Sequence, residues 1–216
     1  MGRGVAVNGG RLITFEGGEG AGKSTQLARL CEVLHERGLE VVGTREPGGS
    51  SGAEAIRELL VRGEPGRWDA VAETLLHFAA RRDHYTQTIE PALARGAWVV
   101  CDRFADSTMA YQAYGLGVDE SFVTGLYQRV LGGFAPDLTI ILDLPVDQGL
   151  ARALARGGAS RYERMDMDFH QRLRDGFLAI AKAEPDRCAV IDAGQDADRV
   201  NDAVLALVDD RLAAHG

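Results

Sequence analysis

The chain has 216 residues, a size that suits one α/β domain, and 45% of them are hydrophobic, so a sizeable core is available. Its formal net charge of −8 at pH 7 argues against a nucleic-acid-binding surface, which is normally basic. The sequence has no apolar run of the roughly 18 residues that a membrane span needs, and its three scattered cysteines favour a reducing, cytoplasmic setting.

The chain begins with a glycine-rich stretch, residues 1–10, which we expect to be a flexible terminus and not a signal peptide. The first predicted strand, residues 11–16, has the sequence R-L-I-T-F-E and is expected to be buried. The sequence G-G-E-G-A-G-K-S follows it and matches the pattern G-x-x-x-x-G-K-[ST]; an amphipathic helix comes next. A strand before and a helix after are the context that this pattern requires.

This glycine-rich loop predicts a site for nucleotide phosphates. Glycines let the backbone approach a phosphate closely, and exposed amides at a helix N-terminus form an anion-binding nest. Lys23 would neutralise the β- and γ-phosphates of ATP, and Ser24 would ligate Mg²⁺. The predicted nucleotide-binding residues are Gly17, Gly18, Glu19, Gly20, Ala21, Gly22, Lys23, Ser24 and Thr25.

The second predicted strand, residues 39–44, runs into the sequence T-R-E-P-G-G. A long helix is predicted over residues 69–95, with an irregularity at Pro91, because proline lacks the amide that a helix interior needs. The third predicted strand, residues 97–101, runs into D-R-F. The later elements are strands over residues 138–144 and 188–192 and helices over residues 118–131 and 196–212.

Strands and helices alternate along the chain, and the strands are continuously apolar. This pattern predicts a doubly wound, five-stranded parallel sheet flanked by helices, of the P-loop NTPase type. In such a sheet ligands bind at the carboxyl ends of the strands, where the three loop sequences fall. No linker or repeat divides the chain, so residues 11–216 are predicted to form one domain. The Asn-Lys-x-Asp sequence of GTPases is absent, which favours a small-molecule kinase.

Three segments together closely resemble the bacterial thymidylate kinases: G-x-E-G-A-G-K-S-T at 17–25, T-R-E-P-G-G at 44–49, and D-R-F followed by A-Y-Q at 110–112. The resemblance spans nearly the whole chain, from Arg11 to Leu212. It implies phosphorylation of dTMP to dTDP with ATP and Mg²⁺ by a homodimer. The alternatives are a kinase for another nucleoside or monophosphate, and a regulatory protein with a vestigial site.

The resemblance also implies roles for residues near the reacting phosphates. Glu19 matches a carboxylate near the sugar 3′-hydroxyl of the acceptor. Arg103 and Arg45 match arginines that approach the acceptor phosphate, and Pro47 helps to shape the wall of that pocket. Asp102 matches an aspartate beside Mg²⁺.

In the resembled family the base pocket combines an aromatic residue that stacks on thymine with an arginine that reads a base carbonyl, at the spacing F-x-x-x-R. This spacing fits Phe78 with Arg82, or His77 with Arg81. Counting back from Pro91 favours Arg81. We therefore predict Phe78 and Arg81, with His77 and Arg82 as alternatives.

Further residues are predicted to line the acceptor and the adenine. Ser107, Tyr111 and Gln112 fall on one side of a helix and match positions that line the thymine and sugar. Phe104 stands where the family often has a tyrosine, so the role of that hydroxyl is absent. Gln195, after the last strand, resembles the loop beside the adenine.

The catalytic arginine is expected in a lid over residues 152–167. In one type of family member a basic residue follows the acidic residue of the phosphate loop, but here that position is Gly20. In the other type the arginine comes from a mobile lid. Arg161 matches the lid position best, with Arg156 and Arg164 as the other candidates, and it would balance charge in the transition state.

Overall fold

A computed structural model describes residues 9–157 and 160–212. Residues 1–8 of the predicted flexible terminus and residues 158–159 of the predicted lid lie outside the described residues. The five strands of the described chain are β1 (Leu12–Glu16), β2 (Val41–Arg45), β3 (Trp98–Asp102), β4 (Leu138–Asp143) and β5 (Cys188–Asp192). They form one parallel sheet in the order β2–β3–β1–β4–β5, which confirms the predicted fold class.

Helices connect successive strands. In the described ranges they are α1 (Lys23–Glu36), α2 (Ser51–Val61), α3 (Ala70–His84), α4 (Glu90–Ala94), α5 (Ala105–Thr108), α6 (Glu120–Leu131), α7 (Val146–Arg156), α8 (Met167–Ala183) and α9 (Ala197–Leu212). Short π-helical segments cover Tyr85–Ile89 and Met109–Gly115, and a 3-10 turn covers Tyr162–Arg164. Within these ranges the chain forms no helix of the length and apolarity that a bilayer crossing demands.

The predicted helix over residues 69–95 is present but interrupted. It begins at the Asp69 cap, whose carboxylate accepts from two backbone amides of the first turn. The interruption is the π-helical segment Tyr85–Ile89, so the irregularity precedes Pro91. Helix α4 then carries Pro91 in its first turn, where a missing amide costs nothing.

The sheet is buried on both faces, which explains its continuous apolar strands. Ile13 and Phe15 of β1 pack with Leu30 of α1 in one core cluster, whereas Leu12 of the same strand packs with Ala92 of α4 in another. All five side chains are fully buried. Burying each large apolar side chain contributes about 1.5–3 kcal/mol to folding, so both clusters hold the sheet in place.

The strand register brings the three predicted loops to one edge of the sheet. Phe15 of β1 lies opposite Asp102 of β3, and Asp102 lies opposite Arg45 of β2. The glycine-rich loop after β1, the T-R-E-P-G-G segment after β2 and the D-R-F segment after β3 therefore leave the sheet at nearly the same level. This is the edge at which doubly wound sheets bind their ligands.

Candidate active site

A cavity of about 410 Å³ opens at this edge, and cationic side chains outnumber carboxylates in its lining. Although the whole chain carries a net charge of −8, six cationic side chains line the cavity: Lys23, Arg45, Arg57, Arg81, Arg103 and Arg156. Such a concentration attracts an anionic ligand. The predicted site residues that line it are Glu19, Gly20, Ala21, Gly22, Lys23, Ser24, Thr25, Arg45, Pro47, Arg81, Asp102, Arg103, Ser107, Tyr111 and Gln112.

The lysine of the glycine-rich loop is folded back onto that loop. Lys23 Nζ donates to the carbonyl oxygens of Gly18, at 2.7 Å, and Gly17, at 3.1 Å. Burial lowers the pKa of the Lys23 ammonium to about 8, with a further lowering by Arg103, against the opposing effect of Asp102. The Lys23 ammonium is thus a buried cation whose hydrogen bonds go to neutral carbonyl oxygens and not to a carboxylate. A phosphate group would suit it as a partner.

Position 20 of the loop accommodates only glycine. Gly20 has a φ of +68°, and a Cβ there would overlap the carbonyl oxygen of Gly149 at the start of α7. A basic side chain is therefore excluded at this position by backbone geometry. The additional positive charge for phosphoryl transfer has to come from another part of the chain.

Two oxygen atoms meet beside the phosphate loop. Ser24 Oγ donates to Asp102 Oδ2 at 2.6 Å. Among the residues that the structure describes, no cluster of three or more His, Cys, Asp or Glu side chains could hold a metal alone. Mg²⁺ commonly takes one or two protein oxygens and completes its shell with phosphates and water, so Ser24 and Asp102 fit this ion.

A short network joins the phosphate loop to the D-R-F segment. Glu19 Oε1 accepts from Tyr111 Oη at 2.6 Å and from Arg103 Nη2 at 3.2 Å. Burial alone would raise the pKa of the Glu19 carboxyl, but Arg103 and Lys23 bring it down to about 2. Glu19 is therefore a carboxylate at pH 7, fixed between a cation and a hydroxyl at the cavity wall.

Arg103 itself has a strained backbone. Its φ of +72° lies in the left-handed region that non-glycine residues rarely adopt, and such strain concentrates at functional sites. Its Nη1 donates to the Gly17 carbonyl at 3.0 Å and to Ser107 Oγ at 3.1 Å. The guanidinium is thereby held between the phosphate loop and α5.

The loop of Arg103 rests on a buried carboxyl that the sequence analysis did not single out. Glu16 accepts from the Phe104 amide at 2.7 Å and from Ser107 Oγ at 2.5 Å. Burial, reinforced by Asp106, raises the pKa of Glu16 to about 7. The signal in the sequence was a single charged residue at the end of an otherwise apolar strand.

Arg81 lines the cavity and is held by hydrogen bonds, whereas Arg82 does not line it. Arg81 Nε donates to Glu46 Oε2 at 2.7 Å and its Nη2 to the Phe104 carbonyl at 3.0 Å. Its buried Nη1 has no partner among the described residues. Arg82 instead donates to the Val130 carbonyl at 3.0 Å and does not line the cavity. Of the two alternatives, Arg81 is the one that faces the cavity.

The predicted stacking residue Phe78 faces the core. Its ring packs with Ala113 and Val123 and does not line the cavity. His77 lines the cavity together with Arg81, because residues four apart share one face of α3. Burial, with Arg81 and other nearby cations, lowers the pKa of His77 to about 3, so its ring is neutral at pH 7. The pair that lines the cavity is therefore His77 and Arg81, and Phe78 does not line it.

The lid arginine that faces the cavity is Arg156. Arg161 is 4% exposed, forms a buried ion pair with Glu73 and does not line the cavity. Arg156 does line it; its side chain is 63% exposed and pairs with Glu163 at 3.0 Å. Arg164 points away, to the Gly63 carbonyl. Of the three candidate arginines, Arg156 is therefore the one that lines the cavity, whereas Arg161 is held by an ion pair whose breakage would cost about 3–5 kcal/mol.

The remaining residues divide between the cavity and the surface. Arg45 pairs with Glu54 at 3.0 Å and lines the cavity with Pro47. Arg57, which the sequence analysis missed, also lines it and donates to the Pro47 carbonyl at 2.7 Å. In the sequence, the only sign of Arg57 was that an arginine occurs on the helix that follows T-R-E-P-G-G. Gln195 is exposed after β5 and is not among the cavity residues, so its contact with adenine stays a prediction.

Comparisons with known proteins agree on one family. Residues 15–204 match the protein family described as thymidylate kinase. The chain is 58% identical to the thymidylate kinase of Caulobacter vibrioides, with 94% of this chain and 98% of that protein covered, and 50% identical to that of Methylococcus capsulatus, with 95% and 98% covered. The crystal structure of the thymidylate kinase from Ehrlichia chaffeensis superposes with a TM-score of 0.76 at 38% identity and covers 93% of this chain and 99% of that one.

Proposed function

Because this chain belongs to the thymidylate kinase family and transfers a phosphoryl group from ATP to dTMP to give dTDP, we propose a role in that reaction for each of the main residues of its cavity. One observation carries the proposal: Lys23, Arg103 and Arg156 converge on one cavity from three different segments. Cations on several sides of a transferring phosphoryl group are what this chemistry needs.

At the phosphate end, the amides of the glycine-rich loop and Lys23 hold the β- and γ-phosphates of ATP. Arg103 and Arg45 hold the phosphate of dTMP. The acceptor oxygen is already anionic, so no strong general base is required, and catalysis consists of alignment and charge stabilisation. Arg156, from a lid formed by residues 152–167, stabilises the charge that develops during transfer.

Ser24 and Asp102 hold Mg²⁺ in this proposal. When bound there, Mg²⁺ would supply positive charge that offsets the negative charge of the ATP phosphates. The support for this site is that Ser24 Oγ and Asp102 Oδ2, two hard oxygen ligands, lie 2.6 Å from each other beside Lys23. Glu19, held by Tyr111, faces the sugar 3′-hydroxyl of the acceptor.

At the base end, two unpartnered polar atoms suit thymine. Arg81 Nη1 is a donor and Gln112 Oε1 is an acceptor, and neither has a partner among the described residues. Thymine offers a carbonyl oxygen and an N3–H on adjacent positions of its ring. His77 supplies a neutral aromatic face at the same wall.

An assay of ADP release with several acceptors tests this assignment. We expect turnover with dTMP and ATP, loss of turnover when EDTA removes Mg²⁺, and recovery when excess Mg²⁺ is restored. With dCMP or dGMP the rate is expected to approach the background ATPase rate, because their base edges mismatch Arg81 and Gln112. Full turnover in EDTA would refute the role of Mg²⁺, and equal rates with dTMP and dCMP would refute the base pocket.

Substitutions at two neighbouring positions separate stacking from core packing. His77→Ala is expected to raise KM for dTMP by about tenfold, since stacking on a base contributes roughly 1–3 kcal/mol. Phe78→Leu is the matched control, and it should lower Tm by several degrees with little change in KM, because its ring is buried in the core. Steady-state kinetics and thermal unfolding measure both effects, and the reverse pattern would return the stacking role to Phe78.

We also propose that the protein is a cytoplasmic homodimer. Val71 and Leu75, one turn apart on α3, are 46% and 48% exposed. Helix α6 packs against α3 and exposes Phe122. These apolar side chains suit the interface that the family resemblance implies. The cytoplasmic location is supported by the substrates, which are nucleotides.

A further inference from the structure

The buried carboxylate of Glu73 lies where the lid meets the base end of the cavity. Glu73 is on the first turn of α3 and is 1% exposed. Its Oε1 accepts from Gln112 Nε2 at 2.9 Å and from Tyr162 Oη at 2.9 Å. Its Oε2 accepts from Arg161. One carboxylate therefore contacts a cavity side chain and two residues of the lid segment.

The chemistry of this carboxylate determines which way the amide of Gln112 faces. An ionised carboxylate only accepts hydrogen bonds, so the Gln112 atom that faces it has to be the NH₂ group. The amide oxygen is then left on the other side. Gln112 is fully buried and lines the cavity, and its Oε1 has no partner within the described ranges. Rotation of the amide would place two oxygens against each other in a buried setting, which is costly.

Two residues of the lid segment hold this carboxylate in place. Arg161 is a permanent cation and a donor only, and its Nε is also anchored to the Leu60 carbonyl at 3.1 Å. Tyr162 donates to Glu73 and contacts His77 Nε2 at 2.9 Å. Because the tyrosine proton goes to the carboxylate, the neutral His77 ring has to donate through Nε2. The lid segment thus reaches both sides of the base end.

We propose that Glu73 is a positioning residue that selects the acceptor base by fixing the amide orientation of Gln112. This inference rests on the proposed function, in which Gln112 faces the base. An amide oxygen accepts from the N3–H of thymine, whereas the N3 of cytosine presents a lone pair and is rejected. Sites that leave a buried polar pair unmatched discriminate strongly between substrates.

The substitution Glu73→Gln tests the proposal sharply. Arg161 can only donate, so the introduced amide has to turn its carbonyl oxygen to Arg161 and its NH₂ group to Gln112. Gln112 then accepts through its oxygen and presents NH₂ to the base. We expect the ratio of kcat/KM for dTMP to kcat/KM for dCMP to fall at least about tenfold, with KM rising for dTMP and falling for dCMP. An unchanged ratio in the folded variant would overturn the proposal.

Two further variants separate this inference from the function on which it rests. Tyr162→Phe removes another donor to the same carboxylate oxygen but leaves Glu73 an acceptor, so the dTMP-to-dCMP ratio should stay within about twofold of the wild type even where kcat changes. Gln112→Met removes the reading amide and should lower the ratio. A wild-type ratio in Gln112→Met would refute the proposed base end, whereas a low ratio there with an unchanged ratio in Glu73→Gln would refute only the role of Glu73.

A double variant keeps the proposal testable should Glu73→Gln not fold. Glu73→Gln with Arg161→Gln removes both buried charges, so no cation is left unpaired. The introduced amide at position 73 can then adopt either orientation, and Gln112 is no longer held in one. The ratio is again expected to fall, although by less than in the single variant. A folded double variant that discriminates as well as the wild type would contradict the proposal.

Discussion

Lys23→Met is expected to lower kcat/KM for dTMP phosphorylation by about 10³-fold, because single charged or hydrogen-bonding groups that stabilise a transition state contribute roughly 10²–10⁵. Within residues 9–157 and 160–212, Lys23 Nζ is hydrogen-bonded only to the carbonyl oxygens of Gly17 and Gly18, so the ammonium is available to the phosphates of ATP. Methionine keeps the length and packing of the side-chain stem. The loss should therefore report on charge, and steady-state ADP release measures it.

Thermal unfolding of the same variant should show the opposite trend. Burial depresses the pKa of Lys23 to about 8, below its ordinary value of 10.5, so the charged form is disfavoured in the folded protein. Below pH 8 the folded state carries this cost in full, and the cost declines as pH rises from 8 towards 10.5, where the unfolded chain still binds the proton. Lys23→Met should thus have a Tm at pH 7 equal to or above that of the wild type.

The chain supplies a matched control for Lys23. Its only other lysine, Lys182, is exposed near the end of α8 and does not line the cavity. Lys182→Met should leave both kcat/KM and Tm essentially unchanged. Removal of one group that stabilises a transition state usually costs at least about 10²-fold in rate. If Lys23→Met retained more than about a tenth of the wild-type kcat/KM, the assigned role of the loop lysine would therefore be wrong.

Arg156→Ala is expected to reduce kcat by about 10³-fold, the lower end of the range for an arginine that stabilises a transferring phosphoryl group. The Arg156 side chain is 63% exposed, and its partner Glu163 also accepts from the Ser160 amide, so removal of Arg156 should lower Tm much less than removal of Arg161. KM for dTMP should change much less than kcat, because the contact is made chiefly in the transition state. Rapid-quench or steady-state kinetics at saturating ATP measure this loss.

Arg161→Ala should behave in the opposite manner. It leaves the Glu73 carboxylate buried without its cation, which costs about 3–5 kcal/mol, and in a chain of this length that lowers Tm by on the order of 10 °C. At a temperature where the variant is folded, its kcat should fall far less than that of Arg156→Ala. A larger loss of kcat in Arg161→Ala than in Arg156→Ala would restore Arg161 as the catalytic arginine.

A third lid arginine serves as the control for both variants. Arg164 donates to the Gly63 carbonyl and to Glu64, which is largely exposed. Arg164→Ala removes one positive charge from the same segment without exposing a buried partner. It should keep kcat and Tm close to the wild-type values, since exposed ion pairs contribute about 0–1 kcal/mol. A loss of kcat here comparable to that in Arg156→Ala would indicate a general effect of lid charge.

The sequence by itself determined the features that local backbone chemistry encodes. Five apolar runs between amphipathic stretches predicted the parallel sheet, because strands covered on both faces have no polar side. The glycine pattern predicted the phosphate loop, and a glycine at position 20 by itself excluded a catalytic side chain there. Such features depend on residues close together along the chain.

Only the tertiary structure decided which side chains face the cavity. His77 and Phe78 are adjacent, about 100° apart around α3, and because Phe78 packs against Val123 of α6, His77 lies on the face that lines the cavity. In the arginine-rich lid segment, the sequence favoured Arg161 over Arg156. Glu73 precedes Arg161 by 88 residues and binds that arginine in the protein interior, whereas Arg156 lines the cavity. Pairings across such separations follow from packing in three dimensions, which no local pattern records.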